Sequence, residues 1–173
     1  MAVDEDLLEL KGRVTGRWRI HVDRGPVDFF ARAVTDENPV YHSREAAQAA
    51  GFADVPAPPT FSFVMNHMGS FADDQPSQDG VDGGDAHVRF AGGLMQRYPR
   101  GLILHGEQEF TYHRPVLVGD VLVGEGRVVD VYERESKGSI MTFMVAENAY
   151  TDEATGEPVV TSRMNLIHRR KAE

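Results

Sequence analysis

Apolar positions along the chain change their period about halfway. Over Arg13–Val22 (RVTGRWRIHV) Val14, Trp18 and Ile20 fall at even positions, the alternation of a half-buried strand. Val27, Phe30, Ala31 and Val34 then recur at i, i+3, i+4 and i+7, which turns one helical face inward. Asp23 is placed to cap that helix and Pro39 to close it. Ser43 is a second N-cap, ahead of Ala46, Ala47, Ala49 and Ala50, with Gly51 as the stop. The link Val55-Pro56-Ala57-Pro58-Pro59-Thr60 is too rich in proline for helix or central strand. Phe61–Phe71 (FSFVMNHMGSF) follows, apolar over most of its length, and reads as a buried helix with Pro59 or Thr60 near its first turn.

Beyond Asp73–Asp85 (DDQPSQDGVDGGD), a polar Gly-rich loop expected to move, the pattern is that of strands. Leu102–Tyr112, Val121–Tyr132, Ser139–Tyr150 and Val159–His168 are separated by short breakers at Arg114–Asp120, Glu135–Gly138 and Asp152–Pro158. Strands so joined are expected to be antiparallel neighbours. Strand, helices and then a meander of long strands describe an α+β fold, a sheet wrapped over the Phe61–Phe71 helix. With 173 residues the chain reads as one domain, 1–173, with a charged leader over 1–11.

Composition narrows the function. Apolar residues make up 41% and charged residues 26%, as in globular proteins. Eighteen Lys and Arg against 27 Asp and Glu leave a net charge of −9, which argues against coating nucleic acid or anionic lipid. Without cysteine there is no disulfide framework, thiolate metal site or cysteine nucleophile. The histidines lack zinc-ligand spacing, and Ser62 lacks the Gly-x-Ser-x-Gly setting of a serine hydrolase. The opening MAVDEDLLELKG is unlike a secretory signal, and no apolar stretch nears the roughly 20 residues of a membrane span, so a cytoplasmic location is expected.

Candidate chemistry concentrates in Thr35-Asp36-Glu37-Asn38-Pro39-Val40-Tyr41-His42. Taken alone, this run is equally what a helix end with ordinary turn chemistry looks like. Read as a site, it places a carboxylate, a carboxamide and rings in one loop, a group able to hold and deprotonate a water. His105, ahead of a strand, and His67, inside the apolar segment, also read as ordinary structural histidines.

FARAVTDENPVYHSREAAQAAGF, followed by the proline-rich link and the apolar segment, resembles the signature of MaoC-like (R)-specific enoyl thioester hydratases. The later LHGEQEFTYHRPVLVGD resembles the branch related to the dehydratase of type I fatty acid synthase, including HadA-type subunits. The resemblance implies a dimeric hotdog fold acting on acyl groups carried as CoA or acyl-carrier-protein thioesters, with no metal or redox cofactor. Asp36, Asn38, Pro39 and Val40 match the family's motif, Ala47 matches its later small residue, and Tyr41 stands where the family has histidine. By that resemblance Asp36 activates or orients water, Asn38 fixes the loop, and Tyr41 or His42 completes the water's hydrogen bonds. The N–H of Thr60 or Phe61 polarises the thioester carbonyl, since a helix N-terminus favours developing negative charge. Phe61, Phe63 and Met65 supply pocket walls, His105 belongs to an HG pair the branch carries, and Arg114 is within reach of a ligand phosphate. The implied activity is interconversion of trans-2-enoyl and (R)-3-hydroxyacyl thioesters by a homodimer. Two alternatives stay open: a non-catalytic acyl-binding subunit paired with a MaoC-type catalytic chain, and an acyl-CoA thioesterase using Glu107.

Overall fold

A computed structural model describes residues 5–65, 74–79 and 85–172. A helical turn α1 (Glu5–Leu8) precedes strand β1 (Val14–His21), helix α2 (Arg24–Ala33), a 3-10 turn at Pro39–Tyr41 and helix α3 (Arg44–Ala49). A second 3-10 turn, Pro59–Phe63, leads to helix α4 (Asp85–Arg97), and β2 (Leu102–Tyr112), β3 (Val121–Ser136), β4 (Ser139–Asp152) and β5 (Pro158–Lys171) complete the chain. All strand pairings are antiparallel, in the order β1-β3-β4-β5-β2.

The four late strands lie where alternation places them, and three run longer than expected. Lys137 and Gly138, both at positive φ, turn β3 into β4 in two residues, so the breaker at Glu135–Gly138 contracts to a tight hairpin whose twist suits the strands. The expectation that β2 and β3 are neighbours fails. Their link pairs instead with the proline-rich segment: Ala57 N–H donates to Val116 O at 2.8 Å, and Val118 N–H to Val55 O at 2.9 Å. With both sides of β3 taken by β1 and β4, β2 docks on β5.

Local signals near the first helices meet mixed outcomes. Ser43 caps α3 by accepting from Ala46 N–H, but Asp23 stands at the start of α2 without a side-chain capping bond. Helix α2 stops at Ala33, before Pro39, because Thr35 takes a left-handed φ of 57°. Val34 is consequently exposed rather than on the inner face. Pro39 opens the next 3-10 turn instead of closing α2.

Two apolar clusters lie on the sheet. Ile20, Val27, Ala47, Phe61, Met65, Leu122, Tyr150 and Val160 belong to the first, under α2 and α3. The second joins Leu7, Leu10, Phe90, Leu94, Val128, Val131 and Met144, so α4 and the leader pack against β3 and β4. Helix α4 is absent from the sequence reading. The expected Phe61–Phe71 helix begins as the 3-10 turn, with Phe61 and Met65 buried. Its remainder, 66–71 with His67, lies outside the described residues. Within the Gly-rich loop, the described residues 74–79 lie along the free edge of β1. The Gln75 amide brackets the backbone of Arg19, and the Gln78 amide that of Arg17. These amides satisfy edge groups that would otherwise be open to pairing with another strand.

Candidate active site

The turn after α2 is built from its own polar side chains. Asp36 N–H returns to Ala31 O at 2.9 Å, and the Asp36 carboxylate accepts from Asn38 N–H at 3.0 Å. Asn38 Oδ1 accepts from Val40 N–H at 3.2 Å, capping the turn that Pro39 opens. These are the Asx bonds that favour Asp and Asn at such positions. Arg24, in the first turn of α2, donates to the carbonyl of Tyr41 at 3.0 Å and to that of His42. Sequence reading missed this residue. Its signal is a cation where the helix dipole disfavours one, which calls for another partner.

Tyr41 and His42 face different spaces, as adjacent side chains of an irregular turn do. Tyr41 lines a cleft of about 370 Å³ with Phe52, Pro56, Pro59, Tyr112, His113 and Arg114 among its walls, within the size range of small-ligand sites. Asp36 and His42 line a separate hollow with Arg32, Thr35 and Glu37. Burial first, and then the charge of Asp36, raises the Tyr41 phenol above its ordinary value of 10.0. At neutral pH it therefore keeps its proton and is available as a hydrogen-bond donor rather than as a base. His42 Nδ1 lies 2.7 Å from Asp28 Oδ1, and Nε2 lies 2.8 Å from the Asp36 carbonyl oxygen. The bond to Asp28, and next that to Asp36, raises His42 above 6.5. Asp28 is held at about 2, first by its bond to Arg32 and then by His42.

The six residues expected to bind substrate divide. Phe61 N–H is bonded to Pro58 O at 2.8 Å, while among the described residues no acceptor meets the N–H of Thr60. Of the two candidate carbonyl-polarising donors, Thr60 is the one without an acceptor among the described residues, although it is not one of the residues that line the cleft. Phe61 is a core residue, edge-on to Phe30 at 5.6 Å, and Met65 is fully buried, so neither lines the cleft. Phe63 points away, 43% exposed and edge-on to His105 at 5.6 Å, which gives that pair a packing role on β2. Arg114 does line the cleft, but Asp120 at 2.6 Å and Asp152 at 2.7 Å occupy its guanidinium. Tyr112 and His113 are cleft residues the sequence did not single out, and Tyr112 donates to Pro59 O at 2.9 Å across the opening.

Comparison with known proteins agrees with this architecture. A family model described as FAS1-like, dehydratase domain region, matches residues 9–162. The chain belongs to the FAS1-like dehydratase family. Within it, the chain is 34% identical over 152 residues to a UPF0336 protein of Saccharopolyspora erythraea, covering 88% of this chain and 83% of that one. A UPF0336 protein of Parafrankia is 39% identical over 153 residues, covering 87% and 85%.

Solved structures establish the hotdog fold of this family member. The HadBC (3R-hydroxyacyl-ACP dehydratase) complex of Mycobacterium tuberculosis superposes at a TM-score of 0.62 with 23% identity, covering 96% of this chain and 99% of that one. The ChsH1–ChsH2 complex of the same organism gives 0.70 with 19% identity over 97% and 89%. An (R)-hydratase of A. caviae involved in PHA biosynthesis gives 0.54 with 18% identity over 94% and 96%. In this member of the FAS1-like dehydratase family the sheet packs against apolar helical segments, and the motif turn opens beside the cleft. Among the described residues, no helix is long and apolar enough to cross a membrane.

Proposed function

We propose that the chain interconverts trans-2-enoyl and (R)-3-hydroxyacyl thioesters by adding or removing water. One observation carries this reading. The Asp36–Asn38–Pro39 turn is locked by its own side chains, and the next ring along, Tyr41, lines an apolar cleft with Pro59, the residue before Thr60, whose N–H meets no acceptor among the described residues. A thioester carbonyl at that N–H would find a donor for the charge that develops during addition. Asp36 is the carboxylate assigned to the water. Tyr41, protonated at neutral pH, supplies a hydrogen bond instead of acting as a base. Moving water and a proton in this way calls for no metal or redox cofactor. The outer edge of β2, where Leu102 and Tyr112 are exposed and which no strand among the described residues pairs, is assigned to a second hotdog chain.

The test follows loss of the conjugated enoyl chromophore with crotonyl-CoA and a longer enoyl-CoA. Turnover by the wild type and a fall of about 10²–10⁴-fold in Asp36→Asn, the range general acid–base groups contribute, are expected. Undiminished turnover in that variant refutes the assignment.

A second reading has its own support. Tyr41 replaces the motif's histidine, and Asp36 lines a different hollow from Tyr41. These features suit an acyl-binding subunit whose catalytic groups come from a partner chain. That reading predicts no turnover from the folded chain alone and turnover after mixing with a hotdog chain that has the complete Asp–His motif.

A further inference from the structure

We propose that His42 is a positioning residue: its doubly protonated imidazole braces the backbone of Asp36 against Asp28 and so fixes where the Asp36 carboxylate sits. The catalytic consequence rests on the hydratase reading above, but the brace itself does not.

The geometry decides the protonation state. Both atoms that face the ring, Asp28 Oδ1 at 2.7 Å and the Asp36 carbonyl oxygen at 2.8 Å, are acceptors. A neutral imidazole has one N–H and one bare nitrogen, so one of these contacts would set a nitrogen lone pair against an oxygen lone pair. Only the imidazolium donates to both. The surroundings favour that form. From α2, Asp28 supplies the closest negative charge, while Arg32, itself 2.8 Å from Asp28, opposes it. From the turn, Asp36 and Glu37 line the same hollow, and Arg24 bonds to the backbone carbonyls of Tyr41 and His42, not to the ring.

A brace of this kind works in one direction of pH. His42 is raised above its ordinary 6.5, so the stabilisation is complete below that value and is lost as pH rises through the folded-state value. A catalytic base at position 42 would behave oppositely and gain activity on losing its proton. A ring merely packed in its neutral form would lose stability as pH falls, the opposite direction.

The experiment titrates the imidazole nitrogens of ¹⁵N-labelled full-length protein by NMR from about pH 5 to about pH 9, in wild type and Asp28→Asn. The expected result is that both nitrogens of wild-type His42 stay protonated through neutrality and that Asp28→Asn moves the titration to lower pH. In parallel, kcat for enoyl-thioester hydration is expected to fall on the alkaline side at the pH where His42 titrates, with KM nearly constant. That limb should move to lower pH in Asp28→Asn, and His42→Gln should lower kcat by about 10²-fold, the scale of a misplaced group. A bare ring nitrogen at neutral pH overturns the proposal, as does a titration indifferent to Asp28. Should Asp28→Asn fail to fold, the wild-type titration alone decides. Should no substrate turn over, the NMR result still decides the brace, and only the hydratase reading fails.

Discussion

Arg24 offers the sharpest test of how the motif turn is held. Its guanidinium reaches 17 and 18 residues ahead to two carbonyls that no helix or strand satisfies. Hydrogen bonds to a charged group contribute about 1.5–3 kcal/mol each when shielded; here the low end applies, because the site is only partly buried, giving roughly 2–3 kcal/mol for the pair. The turn opens locally, so this energy should appear in local rather than global unfolding. Amide exchange at Tyr41, His42 and Ser43, whose N–H groups bond to Asn38 O and Pro39 O, reports that opening. In Arg24→Ala their protection is expected to drop by roughly 30- to 150-fold, since about 1.4 kcal/mol is a factor of ten. Amides in β3 and β4 should keep theirs. Arg24→Lys, a compact charge unable to span both carbonyls, should fall between the two. Protection at residues 41–43 that is unchanged in Arg24→Ala would show that the Asx bonds hold the turn unaided, and the clamp would have to be abandoned.

Two packing predictions follow from the second cluster and its neighbourhood. Phe90 on α4 is fully buried against β3 and β4, so Phe90→Ala should cost about 3–5 kcal/mol and lower the midpoint of thermal unfolding by roughly 6–20 °C. A loss under about 1 kcal/mol would mean that α4 does not bear on the sheet. At Gly101 an added Cβ would lie 2.1 Å from Nε2 of the fully buried His168, so Gly101→Ala should cost about 1–3 kcal/mol in urea unfolding. Adding His168→Ala should recover part of that loss. Purely additive effects would separate the two sites.

The sheet was legible where one face is dry. In β3, Leu122, Gly124, Gly126 and Val128 face inward at even positions, and a bulge before Asp130 passes the inner face to Val131. Turn chemistry was equally readable, since the Asp36 and Asn38 bonds span only two residues each. Helix α4 was not. Gly92-Gly93 argues against a helix, and the partners that stabilise it, Leu7 and Leu10, arrive from the far end of the chain. The cleft was half legible for a similar reason: β2 docks on β5 rather than β3, and that choice delivers Tyr112 and His113 to the proline-rich link. No local pattern records which strand a neighbour prefers. Nor does spacing show that Asp28, on the helix before the motif, is the acceptor that occupies His42.

The exchange of tyrosine for histidine at position 41 gains a physical meaning from these contacts. In the motif that the sequence resembles, one histidine stands beside the water, and an unperturbed imidazole also changes charge near neutrality. Here the two properties sit on different residues. Tyr41 faces the cleft with a phenol raised above 10.0, so its proton stays in place, available for donation, throughout the neutral range. His42 faces the other side of the turn, changes charge nearer neutrality, and touches the backbone of Asp36 rather than the cleft. The share of any pH dependence that these two residues contribute would therefore arise behind the site, through the placement of Asp36, and not from the phenol that faces the cleft. Replacing Tyr41 with phenylalanine would remove a hydrogen-bond donor from the cleft and leave that dependence in place, whereas a change at Asp28 would move it.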